Sequence, residues 1–469
     1  MPTDLTQLED RLRAAYADAA ETVQPDDIRP CAPAATSPVR WHGAARIGAT
    51  RIGGRRATAL AAAAAVVLII VVATVVPVVL QSGSRHRTGG PGIAGSRMAY
   101  VVTQRDLLIP VNLATGTALA PIPLGVKGSD AGVLISPDNR TVYVVSVRGQ
   151  LVPVDVTTGK AGRPIEVGGV PAGLVMTPGG KAAYVLEPPY GVVAVDLTTR
   201  TALGLIKIHD ADSFVLTPDG KTLYVLGSVA TGPALTAIST ATNTISTTIA
   251  LRSPLHGWFA GPQSLVMAPD GKTVYASMQA INPRTSRQAG VILPVDLANG
   301  SERKPIELAR SGSPVLTISP DGRWGYLAEA TQSTKAQPDG VQQIAPVDLR
   351  TRAVLPWIPL PANQNGYELT LSPGGATLYA TAIDGSAIVP VDTATGTALQ
   401  PIRLRSFPRW YQYQGVFAPG GRTLYVLSYD DYPKGALIAG RMTPVNTATG
   451  GVGKSIEFPE GLNDIVFGR

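Results

Sequence analysis

Through most of the chain the apolar residues come in short runs, split by polar clusters rich in Gly, Pro, Asp and Thr. TPDGKTLYVL, residues 217–226, is one such unit. Pro sets φ at the first central position of a tight turn, Asp follows and Gly closes it. Leu-Tyr-Val then resumes an apolar, β-prone strand. The unit returns as APDGKTVYAS at 268–277 and as SPDGRWGYLA at 319–328. A Pro followed six residues later by Tyr occurs at Pro137/Tyr143, Pro178/Tyr184, Pro218/Tyr224, Pro269/Tyr275, Pro320/Tyr326, Pro373/Tyr379 and Pro419/Tyr425. Tyr100 supplies an eighth Tyr without its Pro.

Each Tyr is followed by an apolar pair or Pro-Val and then by Asp or a stand-in: Asn112, Asp155, Asp196, Ser239, Asp296, Asp348, Asp392 and Asn446. Asp or Asn there bonds the backbone two residues on and builds a second turn. Nine residues after each begins another short run: PIPL, PIEV, LIKI, TIAL, PIEL, WIPL, PIRL and SIEF. With the apolar run that precedes each Pro, every unit holds four strands, and the Pro-to-Pro period is about 40–53 residues. That is the range of propeller blades. Four short antiparallel strands cannot shield both faces, so each unit must pack on its neighbours. The first unit lacks an initial strand, and the chain ends on GLNDIVFGR, which reads as that strand. Joining the two ends closes a ring and removes its open edges. The expected fold is all-β: an eight-bladed β-propeller over 97–469, closed by the C-terminal strand.

The segments SPDNRTVYVVS, TPDGKTLYVLG and APGGRTLYVLS, each with its Val-Asp/Asn-x-x-Thr-Gly partner, resemble the YVTN-type β-propeller repeats of bacterial and archaeal surface and secreted proteins. The resemblance covers about residues 97–469. The name-giving tetrapeptide never occurs in full; YVVS, YVLE and YVLS stand in its place. Seven blades are common in that family, which makes seven the alternative count here. The resemblance implies fold rather than activity, because its relatives span binding proteins, lactonases and haem enzymes.

Length variation is confined. From the Tyr to the Asp position the spacing runs 12, 12, 12, 15, 21, 22, 13, 21, and from there to the next Pro 25, 23, 22, 30, 24, 25, 27. The insertions therefore fall between strands two and three and between strand four and the next blade. In an up-and-down blade those two connections share one rim, and the invariant turns share the other. Binding residues ride on variable loops held by a rigid scaffold. The aromatics gather in the variable segments: Tyr190, Trp258 and Phe259, Tyr367, then Phe407, Trp410, Tyr411 and Tyr413 with Arg409 among them, then Tyr429 and Tyr432. Trp, Tyr and Arg are typical anchors for partners. Packing of the loops onto the propeller is the alternative role for any single ring.

Charge and composition narrow the function. The chain of 469 residues carries a net charge of +7, spread without a basic stripe, which argues against nucleic acid. Ala, Gly, Pro and Arg usage suggests a high-GC bacterium. The single cysteine, Cys31, excludes an intrachain disulfide or thiolate metal site. Residues 57–80 form an uncharged apolar run, long enough at about 1.5 Å per residue to cross a bilayer core of about 30 Å. Five arginines before it and three after it favour an N-terminus inside. The expected organisation is a cytoplasmic tail over 1–56 with a short helix, a signal anchor over 57–80 in the lipid bilayer, a linker over 81–96 and an extracytoplasmic propeller.

Catalytic spellings are sparse: there is no phosphate-binding Gly-rich loop and no Gly-x-Ser-x-Gly elbow. No cofactor is implied. His209, Asp212 and His256 are weak metal or acid–base candidates in successive blade-linking loops. The expected activity is non-enzymatic binding of a protein, peptide or glycan at the cell surface. A lactonase- or lyase-like enzyme using the same rim is the rival.

Overall fold

The computed structural model describes residues 97–468 except 129–131, 253–258, 282–283, 286–287, 309–314, 331–341, 362–366, 383–386, 405–409 and 431–439. The N-terminal tail, the apolar run 57–80 and the linker lie outside the described residues. Among the described residues no helix is long and apolar enough to cross a membrane.

The described residues form eight antiparallel sheets, each a meander of four strand positions. The repeat spelling and the blades coincide. The third blade, for example, runs Gly173–Met176, Ala182–Glu187, Gly191–Asp196 and Thr201–Lys207. The first strand of each blade lies innermost. The last is outermost and, as in Thr201–Lys207 and Thr244–Ala250, mostly exposed. In most other blades the outermost position is split into two short pieces, such as Thr117–Ala118 and Ile122–Pro123. The C-terminal strand Leu462–Phe467 pairs antiparallel with Met98–Thr103, so blade one takes its innermost strand from the chain end.

The packing repeats as the sequence does. Eight apolar clusters each fill the space between two neighbouring blades, and the cluster joining Val101, Ile109 and Ile465 to Leu427 and Phe458 closes the circle. Middle strands are covered on both faces, which is why TVYVV and LVPV read as continuous apolar runs. The repeated Tyr is buried in all eight blades, at 0–9% exposure. It also ties blade to blade: Tyr184 donates to Asn243 Oδ1 of the next blade at 2.6 Å, and Tyr379 donates to the Thr447 carbonyl at 3.3 Å.

The turn spelling has the same logic. In the first turn the Asp accepts from the backbone amide two residues on, as Asp219 does from Lys221 at 3.0 Å. In the second, Asp155 accepts from the amides of Thr157 and Thr158 at 2.8 and 3.1 Å. The Thr157 hydroxyl also donates to it at 2.6 Å, and that bond first, then the two amides, hold Asp155 below the usual carboxylate range. The turn Gly answers a second need. Gly220 has φ +73°, and a Cβ there would stand 2.3 Å from Cδ of Pro178 in the preceding blade. The same Gly-on-Pro contact recurs at Gly180/Pro137, Gly271/Pro218, Gly375/Pro320 and Gly421/Pro373. Pro and Gly of successive units thus interlock around one rim.

Candidate functional site at the axial mouth

The meander order puts both turns of every blade on one rim and the two variable connections on the other. The turn carboxylates are spent on backbone amides and belong to the plain rim. Chemistry has to be sought on the opposite rim and along the axis.

Of the rim candidates, Trp258, Phe407, Arg409 and Tyr432 lie outside the described residues, as does His256. Tyr190 caps the short second connection of blade three and is 64% exposed. Tyr367 is buried, and its hydroxyl donates to the Pro361 carbonyl at 3.0 Å, a packing contact. Trp410, Tyr411 and Tyr413 belong to the innermost strand of blade eight, Trp410–Phe417. Tyr429 is on the adjacent strand, opposite Tyr411 in register. Phe259 opens the innermost strand of blade five, opposite Ile281. Part of what reads in sequence as loop is therefore strand reaching past the core toward the variable rim.

His209 and Asp210 open the innermost strand of blade four, His209–Leu216. His209 Nδ1 lies 3.0 Å from Asp210 Oδ2, and Ser228 Oγ donates to that same carboxylate oxygen at 2.5 Å. The hydroxyl of Ser228 is 3.4 Å from Nδ1. Serine and aspartate thus meet the same imidazole nitrogen, whereas a nucleophile relay needs them on opposite nitrogens. The side chains are 81% and 53% exposed, so no low-dielectric setting sharpens the pair. Among the described residues no group of three or more His, Cys, Asp or Glu could hold a metal.

The innermost strands hold what the sequence reading missed. Aligned by their register with the repeated Tyr, one level of the ring carries Asp464 in blade one, Gly173 in blade three, Ser213 in blade four, Ser264 in blade five, Glu368 in blade seven and Gln414 in blade eight. Each pairs with the residue two beyond that Tyr. Gly132 of blade two joins them through its carbonyl, which accepts from Val145. Ser213 Oγ accepts from the Leu265 amide of the next blade at 3.0 Å. Asp464 accepts from the amides of Ile465 and of Val133 in the next blade.

Burial pushes the Glu368 carboxyl up to about 8. It pushes Asp464 up to about 7 against those two amides, which pull the other way. Asp212 rises to about 6, first through burial and then through repulsion from Asp210. Glu368 and Asp464 are nonetheless partly exposed in area, and Asp212 openly so. The two observations agree if each carboxyl lies mostly among protein atoms with only an edge in solvent, where little water is present to solvate charge. Beside Glu368, its cross-strand partner Thr381 is 1% exposed, and Thr381 Oγ1 has no hydrogen-bond partner.

No protein-family profile and no curated protein matches the chain. Solved structures do. A dihydro-heme d1 dehydrogenase, NirN, in complex with DHE aligns with TM-score 0.57 at 16% identity, over 79% of this chain and 75% of that one. A eukaryotic initiation factor aligns with TM-score 0.52 at 12% identity, over 80% and 98%. Hydrazine synthase of Kuenenia stuttgartiensis aligns with TM-score 0.46 at 16% identity, over 66% and 99%. At such identities the likeness extends to architecture alone, and the chain's own sheets make that architecture an eight-bladed β-propeller.

Proposed function

We propose that the protein is a membrane-anchored, non-enzymatic binding module whose variable rim engages a protein, peptide or glycan outside the cytoplasm. In this reading the chain is a bacterial surface propeller of the YVTN-repeat type. Residues 57–80 anchor it, with the N-terminus inside. Anchoring would hold the rim at the membrane surface and raise its effective concentration there.

The observation that carries the reading is the one-sided variation. Chain length is fixed in both turns of the plain rim, and it varies in the connections of the other rim, where the aromatic residues gather. Rigid scaffold below and variable aromatic segments above is how recognition surfaces are built. An enzymatic reading of the lactonase or lyase kind gains nothing from the His209–Asp210–Ser228 geometry.

The test is a peptide and glycan array probed with the full chain in detergent and with a Trp258→Ala/Trp410→Ala double variant. Saturable hits that the double variant loses support the reading. Equal binding by the two proteins removes the aromatic segments from it.

A further inference from the structure

The plain rim is not uniform. At Gly180, Gly220, Gly271, Gly375 and Gly421 an added Cβ would stand 2.3–3.0 Å from the nearest carbon of the preceding blade's Pro. Gly322 breaks the series, with the nearest carbon of Pro269 at 3.5 Å. The interlock is loosest between blades five and six, and a cavity of about 190 Å³ lies in that seam. Buried Tyr275 and Thr273 of blade five line it, with exposed Asp270 and Arg303 of the same blade and exposed Asp321 and Arg350 of blade six. Pockets for drug-sized ligands run to roughly 300–1,000 Å³, so this one suits a small ion or a single end group.

Charge at this seam is unevenly engaged. The cavity and the turns beside it hold Lys272, Arg303, Arg323, Arg350 and Arg352 against Asp270, Asp296, Asp321 and Asp348. Every one of those carboxylates accepts a turn amide: Asp270 from Lys272 at 2.8 Å, Asp296 from Ala298 at 3.0 Å, Asp321 from Arg323 at 3.0 Å and Asp348 from Arg350 at 2.9 Å. Arg303 is paired with Asp296 at 2.7 Å, and Arg323 Nε stands 4.0 Å from Asp348. Arg350 and Arg352 form no ion pair among the described residues, which include every turn of this rim. Arg352 Nε is buried without a hydrogen-bond partner. Its backbone is a second anomaly: φ is +62°, where five other blades place Gly116, Gly159, Gly300, Gly396 and Gly450. A long side chain in left-handed backbone calls for a reason. In blade four the position is Asn243, which takes the proton of Tyr184. A guanidinium carries donors only, so Arg352 cannot take that of Tyr275. Burial and then Asp270 push the Tyr275 phenol up, while Arg303 and Arg352 pull it down, so both guanidiniums act on its hydroxyl.

We infer that this seam is a receptor for an oxyanion, the phosphate or carboxylate group of a small molecule, with Arg350 and Arg303 as its charged donors, the Tyr275 hydroxyl as a neutral one and Arg352 adding to the field. A guanidinium meets an oxyanion through two parallel N–H donors. Unengaged cations beside a cleft draw anions into it. A metal cation would find the carboxylates already bonded to amides and Arg350 in its way. The site lies on the rim opposite the aromatic segments, so the inference goes beyond the binding reading and does not rest on it.

The test uses the full chain in non-ionic detergent, titrated calorimetrically at neutral pH with sodium phosphate, sodium sulfate and sodium acetate, ionic strength being held with sodium chloride. Phosphate is expected to bind saturably. Arg350→Gln, at an exposed position that the fold does not need, should weaken phosphate at least about tenfold, and Tyr275→Phe several-fold, because charge-assisted hydrogen bonds are the stronger ones. Arg140→Gln, on the same rim in blade two, should leave binding unchanged. Urea unfolding in chloride alone checks that each variant keeps the parental fold. Acetate binding would assign the site to carboxylates as well; phosphate and sulfate alone would confine it to tetrahedral oxyanions. Three results each overturn the inference: no saturable phosphate binding up to about 10 mM, affinity indifferent to Arg350→Gln, or Arg140→Gln weakening phosphate as much as Arg350→Gln, which would mean diffuse surface charge. The arrays and this titration read opposite rims, so either can fail while the other stands.

Discussion

Glu368→Gln should make the protein more stable in base and leave it nearly unchanged in acid. The carboxyl ionises near 4.5 in an ordinary setting and near 8 here, because burial disfavours the charged form. A group whose pKa rises on folding adds stability that is complete below its unfolded value and is lost as pH climbs through the folded one. The window is therefore about pH 4.5 to 8. At 1.36 kcal/mol for each tenfold change in proton affinity, ionising the folded carboxyl costs at most about 5 kcal/mol relative to the unfolded chain. Partial solvent contact discounts that ceiling, since the side chain is partly exposed; the expected cost is about 2–3 kcal/mol. Glutamine keeps the shape and cannot ionise. Urea unfolding at pH 5, 7 and 9, in amine-free buffer, reads the difference directly. The two proteins should coincide within about 1 kcal/mol at pH 5, and the variant should lead by about 2–3 kcal/mol at pH 9. Asp464 and Asp212 titrate in both proteins and drop out of the comparison. A gap that stays constant with pH, or a variant weaker than the parent at pH 9, is incompatible with a burial penalty on the Glu368 charge.

Other outcomes follow from the packing. Gly220→Ala should cost more than about 2 kcal/mol in urea unfolding, through its left-handed φ and the collision with Pro178. Gly116→Ala is the matched comparison, with φ +65° and nothing within 4 Å of the new Cβ; it should cost only about 1 kcal/mol. Equal costs would mean that the Gly-on-Pro contact contributes nothing. Tyr184→Phe should cost about 1 kcal/mol by breaking the bond to Asn243, with a neutral result showing that the hydroxyl tie is redundant. Removing residues 462–469 strips Leu462 and Ile465, both at most 1% exposed, from the closing cluster and bares the edge of Met98–Thr103. Such a chain should lose cooperative unfolding and aggregate on size exclusion; a monomeric, cooperative product would show that the ring does not need its closure.

How much of this was legible depends on where a residue's role is decided. Turn roles are decided within a few residues, so Pro218-Asp219-Gly220 and Asp155 announce themselves, and the counting of units gives eight blades and a shared first blade. The full reason for the turn glycine was not local: Gly220 must accept Pro178, about a repeat away in sequence, and only the ring makes them neighbours. The axial residues are decided by register around the whole circle. Glu368 in YELTL and Asp464 in LNDIVF read singly as polar positions near strand starts. A signal did exist. The position five before each repeated Pro holds Gly132, Gly173, Ser213, Ser264, Val315, Glu368 and Gln414, small or polar in six of seven blades. A column that resists apolar residues in the innermost strands has a physical meaning. Where eight strands converge on an axis, neighbouring blades approach each other closely: a Cβ on Gly173 would stand 2.9 Å from Phe214 of the next blade, and the buried Ser213 spends its hydroxyl on the Leu265 amide of the next. Small residues fit that approach, and polar ones bond across it. Within such a column a charge is the exception that demands a reason, because neither the turns nor the core requires it. The same alignment that counts the blades therefore locates the acids, once the column is read across blades rather than along one strand.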